Sequence, residues 1–263
     1  VDTVRYPIDG ETRIFASAAR ELPLDQPVQW LQWWGQRMLM FTHGFGLTMA
    51  PVSEVDGDGA PVSASFGIPS TTTHPILKPG NEAIYYGERA TGMAYSNAEG
   101  IREFDHPGDE GRVEVDVKPA DTGVVLDSAL KRFVVGWRSG NLFDIWFSDM
   151  ITSDTRVHYH RTPVGRAERV APFLYYDDNA YAIATEEGIV WMVNAMTTTD
   201  RYPYSAMRDL GDKSNERGLE YRPEPLRNWV RDAVKVPVNA HTGQVTFYGI
   251  SDDPISRTWE KTY

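Results

Sequence analysis

The sequence predicts an α+β fold, in which an antiparallel or mixed sheet with hairpins is packed by several amphipathic helices. Two observations lead to this prediction. Pairs of short apolar runs flank Gly-bearing turns, and other segments repeat their apolar residues at helical spacing. Hairpins give antiparallel strands, because parallel neighbours need a long crossover each time. We expect one domain over residues 1–263.

Four segments have the apolar spacing of helices. They are Val28 to about Phe41, a stripe from Leu126 to Trp137 that follows possible caps at Asp121 and Thr122 and stops before Gly140, Thr162-Pro163 to Val170, and Pro225 to Val234. The first two helices have strong apolar stripes, which we expect to be buried. These stripes are Trp30, Trp34, Met38 and Phe41 in the first helix, and Leu130, Phe133, Val134 and Trp137 in the second.

Two hairpins are predicted near the end of the chain. Their strands are Tyr181–Thr185 with Ile189–Ala195, and Val236–Asn239 with Gln244–Tyr248. Each pair is joined by a short connection that contains glycine. Two other segments are rich in breakers or charge, and we expect loop-rich excursions over about 51–82 and 208–225.

Composition excludes several classes of function. Lys and Arg number 26 against 37 Asp and Glu, so the net charge of −11 makes nucleic acid an unfavourable partner. The absence of cysteine excludes disulfides, thiolate nucleophiles and cysteine-ligated zinc within the printed sequence. No run approaches the ~20 apolar residues that a spanning helix needs. The start at Val1 suggests a processed or cut end, so we expect a fragment.

Familiar catalytic motifs are absent from the sequence. It contains no Walker loop, dinucleotide fingerprint, nucleophile elbow or H-E-x-x-H pair. This favours a non-enzymatic role, although an enzyme stays open. We expect no cofactor and no bound metal.

One weak constellation resembles the opening of a calcium loop. Glu54, Asp56, Asp58 and Gly59 have its spacing, but position twelve is Ser65 rather than a bidentate glutamate. Asp-Gly pairs form turns in their own right, so a solvated turn is the favoured interpretation.

A second weak constellation is a pair of histidines. His158 and His160 would share one face of a strand, as two zinc ligands can. Arg156 and Arg161 flank the pair and would oppose a cation. A surface strand with ordinary histidines is therefore favoured over a zinc site.

Polar residues are densest in Thr197–Ser205, directly after an apolar strand. Loops at the ends of rigid strands commonly build binding sites, so Asp200 and Arg201 could hold a substrate or cap a turn. Further carboxylates, at Asp105, Asp109-Glu110 and Asp177-Asp178, could supply a general acid and base if the fold brought two together. Structural turns and ion pairs are the favoured interpretation.

Seven ordered blocks give a family resemblance. They are Thr42–Gly46, Ala50–Val55, Ile84–Glu88, Glu103–Pro107, Ala171–Leu174, Thr198–Ser205 and Asp252–Ile255. From about Arg20 to Tyr263, the chain resembles the large extracytoplasmic region of a family of uncharacterised bacterial integral membrane proteins. Ser70–Pro79 and the His158/His160 stretch depart from that pattern, so a metal site there would be peculiar to this protein.

The resemblance implies a location but no catalytic residues. The chain would lie at the extracytoplasmic face of the bacterial cell envelope, tethered by membrane spans that precede Val1. Its partners would be that missing membrane-spanning part and an envelope polymer, a lipid or another protein. We therefore expect a binding or assembly module, and the alternative is an envelope-glycan hydrolase with paired carboxylates near Asp105, Asp177 and Asp200.

A functional surface is predicted where the blocks combine polar groups with turns. The candidate binding residues are His43, Tyr85, Glu88, Asp200, Arg201 and Tyr202. A pocket that gathered them would support binding. Two carboxyl groups about 5–10 Å apart in one aromatic cleft would support hydrolysis.

Overall fold

The structure, a computed structural model, describes residues 1–22, 33–108, 111–116, 122–210 and 226–262. Within these ranges the α+β prediction is confirmed, because the strands form antiparallel sheets beside several helices. The strands are β1 (Asp2–Ile8), β2 (Glu11–Ala19), β3 (Gly44–Phe45), β4 (Leu47–Pro51), β5 (Ser65–Phe66), β6 (Thr71–Thr72), β7 (Ala83–Ile84), β8 (Ala94–Ser96), β9 (Arg102–Gly108), β10 (Gly111–Asp116), β11 (Val124–Val125), β12 (Arg156–His158), β13 (Tyr175–Tyr176), β14 (Tyr181–Thr185), β15 (Gly188–Thr199), β16 (Trp229–Asn239) and β17 (Tyr248–Gly249). The helices are α1 (Ala129–Ser139), α2 (Leu142–Phe147), α3 (Pro163–Val170) and α4 (Pro254–Thr262), with a π-helical turn at Gln36–Met40 and a 3₁₀ turn at Pro75–Leu77.

Two five-stranded sheets form most of the framework. Sheet I has the order β1-β2-β4-β5-β6, and sheet II has the order β13-β15-β16-β17 with β14 also paired to β15. Hydrogen bonds link the two sheets directly: the Tyr6 hydroxyl accepts from the Ala184 amide at 2.7 Å, and the Ser17 hydroxyl donates to the Ala182 carbonyl at 3.1 Å. These contacts hold β1 and β2 against β14.

The main core contains residues of both sheets and of α3. Its largest members include Tyr6, Phe15 and Met49 from sheet I and Trp191 and Val236 from sheet II. Along β15 buried and half-buried residues alternate over most of its length, as expected for a strand with one face on a core. A second core cluster lies elsewhere and combines Leu39, Tyr95, Leu126, Val135, Ile145, Ile151 and Val157.

The first predicted hairpin is confirmed. β14 and β15 pair antiparallel from Tyr181 opposite Met192 to Thr185 opposite Gly188. The second hairpin is present but less regular than predicted. Asn239 N donates to the Gln244 carbonyl and Thr246 N to the Pro237 carbonyl, Val238 and Val245 form a bridge, and β17 pairs with Val234 and Lys235.

Two helix predictions are confirmed and one is wrong. α3 begins at Pro163 and ends at Val170, as predicted. The second predicted helix exists as α1 and ends at Gly140 in a left-handed conformation, but Ser128 caps it in place of Thr122, and Asp121 lies outside the described residues. The predicted helix from Pro225 to Val234 is wrong where it is described, because Trp229–Asn239 is strand β16.

The first predicted helix is replaced, in its described part, by the π-helical turn Gln36–Met40. Phe41 is buried, whereas Trp34 and Met38 are only half-buried. Trp30 lies outside the described residues. Of the two loop-rich segments, 51–82 holds only short strands and one 3₁₀ turn beyond Pro51, and 211–225 also lies outside the described residues.

The expected burial of the second stripe is wrong. Leu130, Phe133, Val134 and Trp137 are 44–73% exposed on α1. The same helix buries Val135 and Gly136, which lie on its opposite side because α-helical positions advance by about 100° per residue. α1 therefore packs on the protein through the side that holds Val135 and Gly136, and its apolar stripe faces solvent.

The two weak metal constellations have different outcomes. Asp56 accepts from the amides of Asp58 and Ala60, and Gly59 has φ of 84°, so the predicted turn is confirmed. The surface location expected for the histidine pair is wrong for His158, which is buried. His160 follows β12 with φ of 51°, so the two imidazoles do not share a strand face.

Candidate functional site

Two of the predicted site residues meet through a pair of very short strands. β3 and β7 are antiparallel, with Gly44 opposite Ile84 and Phe45 opposite Ala83. The residue before β3 is therefore opposite the residue after β7, which brings His43 beside Tyr85. Their ring centroids are 4.7 Å apart.

Tyr85 is the centre of a buried polar cluster. Its hydroxyl donates to Glu103 Oε2 at 2.9 Å, and Glu103 on β9 is 1% exposed. His241 meets the Tyr85 ring edge-on at a centroid distance of 5.3 Å. Asp105, two residues after Glu103, lies 3.9 Å from His43 Nε2. We call the set His43, Tyr85, Glu103, Asp105, Arg161 and His241 the Tyr85 cluster.

Arg161 fastens this cluster to the surrounding backbone. Its Nε donates to the Tyr85 carbonyl at 2.7 Å, and its Nη2 donates to the Thr42 carbonyl. Its own carbonyl accepts from the Gly87 amide. Arg161 thus joins the segments that hold His43 and Tyr85. A cavity beside it, lined by Glu21 and His43 among others, has room for about one water molecule.

His158 belongs to a second polar network, which involves Tyr86, the residue after Tyr85. One ring nitrogen contacts the Tyr86 hydroxyl at 2.9 Å and the other contacts Ser96 Oγ at 2.8 Å. The Arg166 guanidinium lies 4.6 Å from the centre of the Tyr86 ring, and Trp191 Nε1 donates to the Tyr86 carbonyl. His158 is therefore fixed by two hydroxyls, and in the described residues no group of three or more His, Asp or Glu is arranged to hold a metal.

Burial sets the protonation of the cluster. It lowers the pKa of His43 and of His158 to about 4, so both imidazoles are neutral at pH 7. Burial, reinforced by the Glu103 carboxylate, raises the pKa of Tyr85, which keeps its phenol protonated. Burial also lowers the pKa of Arg161 to about 10, which still leaves the guanidinium charged at neutral pH.

Glu88 lies beside the cluster and next to a second unusual acid. Its Oε1 accepts from the Ala180 amide at 3.2 Å, and burial raises its pKa. Burial also raises the pKa of Glu21 to about 7, and Glu21 Oε2 accepts from the Arg89 amide. Glu21 is half-buried and Glu88 is exposed at the surface beside it.

The other predicted binding residues lie at the exposed end of β15. Arg201, whose side chain is 92% exposed, pairs loosely with Asp200 at 3.8 Å. The Tyr202 ring stacks against Trp229 at 6.3 Å. None of these contacts involves the Tyr85 cluster, so within the described residues the structure brings His43 and Tyr85 together but not Asp200, Arg201 or Tyr202 with them.

The structure does not pair the carboxylates that were predicted as a general acid and base. Asp105 contacts His106 Nδ1 at 2.9 Å, Asp177 accepts from the Asn179 amide, and Asp200 pairs with Arg201. Glu103 contacts Tyr85 and Asp105 contacts His43, so these two carboxylates meet the two members of one buried pair. Because that pair is buried, the arrangement is a polar core and not an open cleft.

Sequence reasoning missed Glu103 and Arg161. Arg161 was considered only as a neighbour that would repel a cation near His158, and 119 positions separate it from its acceptor Thr42. Glu103 belongs to a block of the family resemblance, but its hydrogen-bond partner Tyr85 belongs to a different block. The one available signal was that both blocks combine aromatic and acidic residues.

The second candidate site is the exposed surface of the helix pair α1 and α2. The two helices pack closely, since a Cβ at Gly136 would lie 3.0 Å from Leu142. Seven large apolar side chains, each 40–76% exposed, form what we call the α1–α2 face. They are Leu130, Phe133, Val134 and Trp137 of α1 and Phe143, Trp146 and Phe147 of α2. Phe133 stacks on Trp137 and Phe143 on Phe147.

The neutral histidines predict an acid-sensitive fold. Unfolded His43 and His158 would bind protons below about pH 6.5, whereas the folded groups resist protonation down to about pH 4. The free energy of unfolding should therefore fall as the pH drops from 6.5 to 4, by up to about 1.4 kcal/mol per pH unit for each group. Glu21 acts oppositely, because its raised pKa lowers stability as the pH rises from 4.5 to 7.

Urea unfolding at several pH values measures these opposing effects. His43→Asn should flatten the loss of stability between pH 6.5 and 4.5 relative to the unmodified chain. Glu21→Gln should instead remove the loss expected between pH 4.5 and 7. Equal pH slopes for both variants and the parent chain would contradict the assigned protonation states.

Comparison with known proteins shows relatives over the whole chain. The family model described as "Uncharacterised protein family (UPF0182)" matches residues 1–263. A "UPF0182 protein" of Methanospirillum hungatei is 34% identical over 265 residues, which cover 100% of this chain and 28% of that protein. A "UPF0182 protein" of Pelotomaculum thermopropionicum is 36% identical and is covered to 27%. The chain thus spans less than a third of the length of these relatives. No solved structure matches it significantly.

Proposed function

The chain belongs to UPF0182, an uncharacterised protein family, and on that premise we propose that it is a binding or assembly module of a larger protein. In this proposal the module lies at the extracytoplasmic face of the cell envelope and is tethered by a membrane-spanning part of the same polypeptide. The relatives support a larger protein, since most of their length lies outside the matched region. The family resemblance of the sequence blocks supports the location.

The observation that carries the proposal is the outward apolar stripe of α1. An amphipathic helix in a globular protein normally buries its apolar face, because covering each large apolar side chain contributes roughly 1.5–3 kcal/mol. α1 buries Val135 and Gly136 and leaves Leu130 and Trp137 more than 70% exposed. Large contiguous apolar patches on soluble proteins mark sites of association. We infer that a partner covers the α1–α2 face.

The alternative, an envelope-glycan hydrolase, receives less support. Hydrolysis needs two carboxyl groups beside an accessible glycosidic bond. Glu103 accepts from the buried Tyr85 hydroxyl, Asp105 lies beside buried His43, and the adjoining cavity has room for about one water molecule. Within the described residues, that cavity is too small for a sugar.

Cysteine labelling tests coverage and location together. The chain has no cysteine, so Trp137→Cys and Glu187→Cys each introduce one reporter thiol, and Glu187 is an exposed residue of the β14–β15 turn. In the isolated chain both thiols should react with a maleimide at similar rates. In the full-length protein, freed of other cysteines, Trp137→Cys should react at least about tenfold more slowly than Glu187→Cys.

The location is tested by a membrane-impermeant maleimide on intact cells. The Glu187→Cys protein should be labelled without lysis if the module is extracytoplasmic. Labelling only after lysis would contradict the proposed location. Equal labelling of both thiols in the full-length protein would contradict a covered α1–α2 face.

A further inference from the structure

We propose that the α1–α2 face binds the interfacial layer of an anionic phospholipid bilayer. This inference rests on the proposed function and names the partner of its surface. The residues of the face and their flanking charges favour a lipid interface over a second protein surface, and the length of the helices favours lying in that interface over spanning the membrane.

The composition of the face suits the boundary between headgroups and acyl chains. It contains two tryptophans, three phenylalanines, one leucine and one valine, all of them exposed on the helix pair. Helices that lie in a membrane interface combine such aromatic and aliphatic residues with a polar opposite side. Two stacked pairs, Phe133 with Trp137 and Phe143 with Phe147, order the rings along both helices.

The charges beside the face match an anionic surface. α1 contains Lys131, Arg132 and Arg138 and no acidic residue, although the whole chain has a net charge of −11. Lys131 and Arg138 fall about 100° from the centre of the apolar stripe, where long basic side chains can reach headgroups while their stems cover apolar surface. Asp144 is the single acid of α2. α1 is therefore a basic helix within an acidic chain, and Lys131 and Arg138 flank its apolar stripe.

An open cavity adjoins the face at the start of α1. It has a volume of about 340 Å³ and is lined by Ser128, Arg132 and Trp146, among others. Asp127, which also lines it, is engaged by Lys131 at 2.8 Å. Arg132 forms no ion pair with any residue of the described chain, so its guanidinium is available to a phosphodiester at the edge of the cavity.

The dimensions favour helices that lie in the interface. α1 has 11 residues and is about 16 Å long, and α2 has six residues, so neither approaches the ~30 Å of a hydrocarbon core. Among the described residues, no helix is long and apolar enough to span a membrane. The exposed stripe, from Leu130 to Trp137, covers two turns and would enter only the boundary layer.

Vesicle sedimentation of the 263-residue chain tests the inference. Vesicles of phosphatidylcholine with phosphatidylglycerol should retain the chain, and phosphatidylcholine vesicles should retain it at least about tenfold less. Lys131→Gln with Arg138→Gln should weaken binding to the anionic vesicles by about 30-fold, because each basic residue near such a surface contributes a gain of about fivefold. Trp137→Ser with Phe147→Ser should abolish retention.

A matched control separates specific from general charge effects. Arg5→Gln with Lys78→Gln removes the same net charge from exposed positions elsewhere and should leave vesicle binding within twofold. Unchanged thermal melting of every variant shows that folding is preserved. Equal loss of binding in the two charge variants, or no retention of the parent chain on anionic vesicles, overturns the lipid inference.

The lipid inference and the proposed function can fail separately. Protection of Trp137→Cys in the full-length protein, without vesicle binding by the chain, would overturn the lipid partner and leave a protein partner for the same face. Free labelling of Trp137→Cys in the full-length protein would overturn the covered face itself.

Discussion

Arg161→Leu is expected to lower the free energy of unfolding by about 3–5 kcal/mol, the cost of removing one partner from a buried ionic and hydrogen-bonded group. The substitution would leave the carbonyls of Thr42 and Tyr85 without their donor. It would also remove the positive charge that faces the buried Glu103. Chemical denaturation at pH 7 measures the change.

Arg201→Leu is the matched control. Its side chain is 92% exposed and pairs only loosely with Asp200, so the same substitution there should change stability by less than about 0.5 kcal/mol. If Arg161→Leu proved as mild as Arg201→Leu, the guanidinium would not hold the Tyr85 cluster together.

The predictable parts of the fold are those specified by neighbouring residues. The β14–β15 hairpin follows from two apolar runs and the turn at Glu186–Gly188, all within 15 residues. α3 follows from a proline at its first position and a second proline just beyond its end. In each case the local sequence contains both the element and its boundaries.

β16 shows how local spacing can mislead. Leu226, Trp229, Val230 and Ala233 recur at helical intervals, yet Trp229–Asn239 is a strand. The β-branched Val230, with three further valines along β16, suits a strand equally well, and pairing with Val190–Thr199 of β15 decides the outcome. That pairing joins residues about 40 positions apart, which a short sequence window cannot detect.

The candidate site was predictable only in part, for the same reason. His43 and Tyr85 stood out because their blocks combine polar groups with turns at element ends and carry the family resemblance. The strands that join them, β3 and β7, have two residues each and show no period. Glu103 and Arg161 enter from β9 and from the loop after β12, so only the folded chain assembles the Tyr85 cluster.

Periodicity identifies the apolar side of a helix but not what covers it. The stripe of α1 was correctly recognised as apolar and wrongly expected to be inside. To bury this stripe within the chain, α1 would have to rotate about its axis by about half a revolution. That rotation would expose Val135, and it would bring Lys131 and Arg138 no closer to water. Because the apolar stripe of α1 is exposed in this chain, we infer that a partner covers it.

The difference between a buried and an exposed apolar side chain can be measured at two tryptophans, Trp191 and Trp137. Trp191 is 2% exposed in the main core and donates from Nε1 to the Tyr86 carbonyl at 2.8 Å. Trp191→Ala should therefore lower the free energy of unfolding by about 3–5 kcal/mol, through lost apolar burial, a cavity and an unpaired carbonyl. Trp137 is 73% exposed, so Trp137→Ala should change the stability of the isolated chain by less than about 0.5 kcal/mol. Both are measured by urea unfolding at pH 7. A cost above about 2 kcal/mol for Trp137→Ala would mean that α1 buries its stripe within the chain, and the surface assigned to a partner would not exist.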